Sequence, residues 1–304
     1  MDFDSLKRAF VITELEHWND IFRLNQRFLS HFIFRGQGNA DWRLSTALSR
    51  LIQKHHPGAR DSMLPIDYEA KMIKEFKWKY PSYEKGRIPE EQDSIEWLSL
   101  MQHYGARTRM LDFSYSIYVA LFMALDESYS DKSAVWAINK SVLEKAVVEK
   151  YKKEKGQDSV SQSDLEDYIY REATDAINRG FDKDSEALLF ATRPHMSNER
   201  INRQQGLFII PSIVSREFDE ILKSYYDATL TLDWPVDNVV DASRTWGPDS
   251  VAVMKILVPL KLKYSILNAL DQMNITPETM YPGLDGLARS MSKRRDSSSS
   301  SSLL

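Results

Sequence analysis

The chain has 304 residues, a net charge of −4, 7 Trp, 14 Tyr and 13 Phe. That length suits one large domain or two small ones with ample core material. The charge argues against a protein that coats duplex DNA, while leaving room for a local basic groove. The absence of cysteine excludes disulfides, thiolate nucleophiles and cysteine-type zinc sites. No apolar run approaches the roughly 20 residues of a membrane helix, and "MDFDSLKRAF" lacks a signal-peptide pattern. These features predict a soluble, cytoplasmic protein with no membrane partner.

In chain order, "ITELEHWNDIFRLNQRFL" carries Thr13 and Glu16 at capping-box spacing ahead of a helical apolar stripe, which predicts a helix. "HFIFRG" reads as a strand with a sharp turn permitted at Gly36. "LSTALSRLIQKHH" reads as a short helix closed by Pro57-Gly58. "IDYEAKMIKEFKWKY" is a second amphipathic helix, expected to stop before Pro81. A further helix from Ser94 should end at Gly105. The extended "TRMLDFS" then leads into "SIYVALFMALDE", apolar nearly all round and therefore a buried helix.

"AVWAINK" reads as a strand. Residues 141–182 are charged and helix-prone with a polar break around Gly156 to Ser163, the expectation being a helical insertion on the surface. "EALLFATRP", "QQGLFIIPS" and "SVAVMKILVP" read as strands, "SREFDEILKSYYDA" and "LKLKYSILNALDQMN" as helices. The serine-rich 291–304 segment predicts a disordered tail. With no regular βαβ alternation, the class is α+β: a mixed or antiparallel sheet core with surrounding helices, organised as one domain over 1–290.

No P-loop, zinc-protease, nucleophile-elbow or dinucleotide fingerprint is present, and the six histidines show no metal spacing, so no metal is expected. Three polar clusters stand out instead. Arg35 ends an apolar strand, where a permanent cation is costly unless something anionic meets it. "MQHYGARTRMLDFSYS" packs Gln102, His103, Arg107, Thr108, Arg109, Asp112 and Ser114 beside a buried helix, where polar groups need partners or a ligand. The competing reading is a structural network, with Asp112 bridged to Arg109 or Arg35. "HMSNERINRQQGLF" places Glu199, Arg200, Arg203 and Gln204 before a strand, with a solvated loop as the plain alternative.

"FIFRGQ" with "DWRLSTALSR", "QHYGARTRMLDFSYSIYVALFMALDE", "RINRQQGLF" and "ILNALDQMNITPETMYPGLDGLA" together resemble the FRG domain family over roughly residues 10 to 290. The layout is more distantly similar to that of ADP-ribosyltransferases, with Arg35 as the strand-end cation, "LDFS" before "VALFMA" as the second element and "RINRQQG" as the third. That resemblance implies a split sheet and NAD as substrate. It makes Arg35, Asp112, Glu199 and Gln204 the candidate catalytic residues. Arg35, Gly36, Gln102, His103, Tyr104, Arg109, Phe113, Ser114 and Arg200 become candidate NAD contacts, and Tyr115 a further aromatic face.

The expected activity is transfer of ADP-ribose to a macromolecular acceptor, protein or nucleic acid, by a toxin or defence effector restrained by an antitoxin. A non-catalytic phosphate- or nucleotide-binding module is the alternative. A third possibility is a nuclease gathering Asp112, Glu199 and Glu186 around magnesium.

Overall fold

A computed structural model describes residues 9–25, 29–59, 62–84, 87–156, 159–179, 186–196, 198–246 and 250–299. In chain order the elements are β1 (Ala9–Glu14), α1 (Asp20–Asn25), β2 (Phe32–Gln37), α2 (Ala47–His55), α3 (Leu64–Tyr83), α4 (Ser94–His103), β3 (Leu111–Ser114) and α5 (Ile117–Leu125). They continue with β4 (Lys132–Asn139), α6 (Lys140–Lys155), α7 (Gln162–Arg179), β5 (Leu189–Thr192), α8 (Glu199–Arg203), β6 (Gly206–Pro211) and α9 (Phe218–Leu222). The last are β7 (Thr231–Asp233), α10 (Val236–Trp246), β8 (Val251–Pro259), α11 (Lys263–Gln272), α12 (Pro277–Met280) and α13 (Leu284–Ser299).

The strands form one eight-stranded mixed sheet in the order β5-β6-β3-β2-β4-β8-β1-β7. β1 runs parallel to both β7 and β8, and the other neighbours are antiparallel. The α+β class is therefore as expected.

Two limbs of the sheet meet at a narrow waist. β2 and β4 pair over six residues, whereas β2 and β3 share one register pair, Phe34 with Ser114. Arg35 follows Phe34 directly, next to this single pair.

Strand alternation sorts the side chains onto two faces. Phe32, Phe34, Ala137, Met254 and Ile256 pack against α5, α1 and α11 in one cluster. Ile33, Phe113, Ile138, Leu207 and Val253 pack with residues of α6 and α9 on the other face.

Gly36 has a packing role. A Cβ there would stand 2.1 Å from the Ala120 carbonyl oxygen and 2.5 Å from Ala124 N, so only glycine lets α5 lie this close to β2.

Four expectations change. Thr13 does not cap a helix: it lies buried in β1, because parallel partners on both sides draw 9–14 into the sheet, and the described helix begins only at Asp20. α3 runs through Pro81 to Tyr83, since a proline in the last turn disrupts few hydrogen bonds. The 141–182 stretch is helical but not merely superficial. Val147, Tyr151, Leu165, Ile169 and Ala173 from α6 and α7 join Leu98 and Met101 of α4 and Phe208 of β6 in a third core cluster. Its last residues, 180–182, lie outside the described residues. At the C-terminus, α13 continues helically to Ser299, into the segment expected to be a disordered tail, of which 300–304 lie outside the described residues.

Candidate functional site

Arg35 projects from β2 at the waist. Its Nη1 donates to the Asp112 carbonyl at 2.7 Å and stands 3.9 Å from the Asp112 carboxylate. The side chain is 20% exposed, and its buried Nε has no hydrogen-bond partner among the described residues. Burial pulls the guanidinium below its ordinary value, Asp112 opposes the shift, and the charge of Arg50 adds to it. Arg50 on α2 is likewise lowered by burial and by Arg107, with Glu217 opposing. Arg50 thus adds positive charge near Arg35, and Arg107 near Arg50.

Asp112 is held from the other side. Gln102 Nε2 donates to its Oδ1 at 2.7 Å, and Thr108 Oγ1 donates to Gln102 Oε1, which fixes the amide orientation. The Asp112 side chain remains 65% exposed, so the carboxylate is open to solvent.

The third cluster meets the second. Ser114 Oγ donates to the Gln204 carbonyl at 2.7 Å and accepts from Ser116 N at 2.9 Å, while Tyr115 N donates to the Gln205 carbonyl at 3.0 Å. Gln204 Nε2 donates to the Met280 carbonyl at 2.9 Å, tying α8 to the end of α12. Gln205 adopts φ 47°, a left-handed turn that brings α8 straight back into β6. Burial and the nearby Arg200 charge lower the His103 pKa, which keeps the imidazole neutral near pH 7. Arg200 also lies 5.5 Å from the Tyr281 ring centre. His103 packs edge-on against the exposed Tyr104.

Other candidates are elsewhere engaged. Arg109 is not a ligand contact: its Nε donates to Glu69 at 2.8 and 3.0 Å and its Nη1 to the Pro211 and Ser212 carbonyls at 3.3 Å, deep between α3 and β6. Of the two partners predicted for Asp112, Arg109 or Arg35, the structure has Arg35. Phe113 is 3% exposed within the sheet-face cluster and offers no ring to a ligand. Gly36 is committed to α5. Glu199 pairs with Arg203 at 2.6 Å, and Tyr115 already lies under Arg193, 4.6 Å from ring centre to guanidinium. Among the described residues no three His, Asp or Glu side chains gather as a metal would require, and Asp112, Glu199 and Glu186 form no such group.

Arg50 carries no signal in the sequence, where "LSRLIQ" reads as the polar side of a helix. Only the fold turns it toward Arg35.

Residues 30–133 match the family model of the FRG domain, a span containing Arg35, Arg50, the 102–114 cluster and α5. The similarity to the FRG domain covers about a third of the chain. The match does not extend to α8 or the 199–206 segment. No match was found among curated proteins or solved structures. Among the described residues no helix is long and apolar enough to cross a membrane.

Proposed function

We propose that NAD binds at Arg35, where β2 meets β3, and that the chain transfers its ADP-ribose to a macromolecular acceptor, as a cytoplasmic toxin or defence effector with an antitoxin partner. The observation that carries this reading is Arg35, a half-buried guanidinium with an unpartnered Nε and a single strong protein bond, backed by Arg50 and Arg107. Such a group grips a pyrophosphate by a two-pronged contact.

The remaining groups suit glycosidic cleavage. The bond between nicotinamide and ribose C1′ breaks, and nicotinamide leaves neutral with the bonding electrons. The exposed Asp112 carboxylate faces the positive charge left on the ribose. The acceptor then bonds to C1′ and releases its proton to Asp112 or to water. Gln204 Oε1, without a partner among the described residues, and neutral His103 are suited to ribose hydroxyls. Tyr104 supplies an exposed ring.

A second reading is favoured by one specific feature. Asp112 is held by Gln102 and Glu199 by Arg203, so neither carboxylate is wholly uncommitted. A module that binds a nucleotide without cleaving it needs no more than the arginines. Incubation with NAD labelled on its adenylate phosphate, in the presence of cell extract, separates the two. Transfer of label to a macromolecule with release of nicotinamide supports the transferase. Tight NAD or nucleotide binding with no release supports the module. Neither binding nor release overturns both.

A further inference from the structure

The sheet face on which Arg35 stands has a second feature, one that neither reading uses. Strand register sets Arg35 opposite Trp136, Trp136 opposite Lys255 and Lys255 opposite Ile12. Directly opposite residues share a face, so these form one row across β2, β4, β8 and β1, and all four are only partly buried. With ~4.8 Å between strands, Arg35 and Lys255 stand roughly 10 Å apart with the indole between them.

The row is built. Lys255 Nζ lies 4.9 Å from the Trp136 ring centre. Phe10 lies parallel to the same ring, 6.0 Å between centroids and 2° between planes. Trp136 Nε1 donates to Gln37 Oε1 at 2.8 Å, which fixes the indole. No carboxylate pairs with Lys255 within ion-pair distance among the described residues; Asp41 acts on it only at longer range, and burial lowers its pKa. At the Arg35 end, Arg50 adds positive charge near Arg35 and Arg107 near Arg50, with Asp112 and Glu217 opposing. This is a local basic path on a chain of net charge −4.

We propose that this row is the acceptor platform and that the acceptor is a single-stranded nucleic acid. A base lies against the Phe10–Trp136 pair and a phosphate sits at Lys255, which leaves Arg35 to the dinucleotide. Alternating aromatic and cationic side chains is how proteins hold single strands with little sequence preference. A peptide acceptor is disfavoured, because β2, β4, β8 and β1 are each paired on both edges and an added strand has no place to form. The role as acceptor rests on the transferase reading; the binding itself does not.

Anisotropy of a short fluorescent single-stranded RNA or DNA, titrated across salt concentrations without NAD, tests this. The wild-type protein should bind. Lys255→Gln should weaken binding and reduce the slope of log affinity against log salt by about 0.7, the value of one phosphate contact on a single strand. Trp136→Leu should weaken binding about tenfold with the slope unchanged. The two slopes separate loss of contacts from loss of folding, and Lys255→Gln should melt like wild type. No oligonucleotide binding by the wild-type protein, or binding indifferent to both substitutions, overturns the platform. So does ADP-ribose transfer to protein alone. A separate titration with NAD reports on the transferase reading, so either claim can fail without the other.

Discussion

Arg35 holds Asp112 by its main chain rather than its carboxylate: Nη1 lies 2.7 Å from the carbonyl oxygen and 3.9 Å from the nearer carboxylate oxygen. The carboxylate is left to Gln102 and to solvent. Asp112→Asn keeps an oxygen for Gln102 and leaves the Arg35 bond untouched. Loss of an exposed charge pair costs at most about 1 kcal/mol, so urea unfolding should barely change. Nicotinamide release should fall by about 100-fold or more, the effect of removing a transition-state charge, while NAD binding persists. Undiminished release would remove Asp112 from the chemistry.

Arg109 and Glu69 make the opposite kind of pair, each side chain 3% exposed. Removing one partner strands a buried charge, at a cost of about 3–5 kcal/mol. Glu69→Ala should therefore show a large loss in urea unfolding, and the double change Glu69→Leu with Arg109→Met should recover much of it. A mild single variant would mean that Arg109 has another anion to meet.

Gly36→Ala sets a methyl group 2.1 Å from the Ala120 carbonyl oxygen. Backbone on both sides cannot yield, so the expected loss is ~3 kcal/mol, seen as a lower melting temperature or insoluble expression. Wild-type stability would show that α5 does not lie against β2 as described.

Glu96 makes one part of the fold sensitive to pH. Burial raises its carboxyl above the ordinary 4.5, and hydrogen bonds from the Met196 and His195 main chain oppose the shift. The folded protein then binds this proton more tightly than the unfolded chain. The contribution is complete below about pH 4.5 and is lost as pH rises through the raised folded value. Over that window the melting temperature of the wild-type protein should fall relative to that of Glu96→Gln. Parallel profiles would contradict the shift.

Most of the sheet was legible because its strands are apolar and bounded by turn residues, as in "FIFRGQ" and "SVAVMKILVP". β1 was not, since its local pattern fits a helix and only pairing with β7 and β8 decides otherwise. The meeting of the 102–114 and 199–206 segments was implied by the resemblance of the layout and not by the residues themselves, and Ser114 and Gln204 do meet. The individual roles were less legible. Arg109 and Arg35 look alike in sequence, and burial against Glu69 in one case and beside Arg50 in the other tells them apart. Phe113 was readable in hindsight of alternation alone: in "LDFS" it shares the Leu111 face, which is core.

The central claim is that Arg35 holds the phosphates of NAD. Isothermal titration of NAD into the wild-type protein and into Arg35→Ala, with melting curves beside them, tests it most directly. Binding by the wild type, at least tenfold weaker binding by the variant, and nearly equal melting temperatures are expected. Equal affinities, or a variant that loses its fold together with its binding, would contradict it.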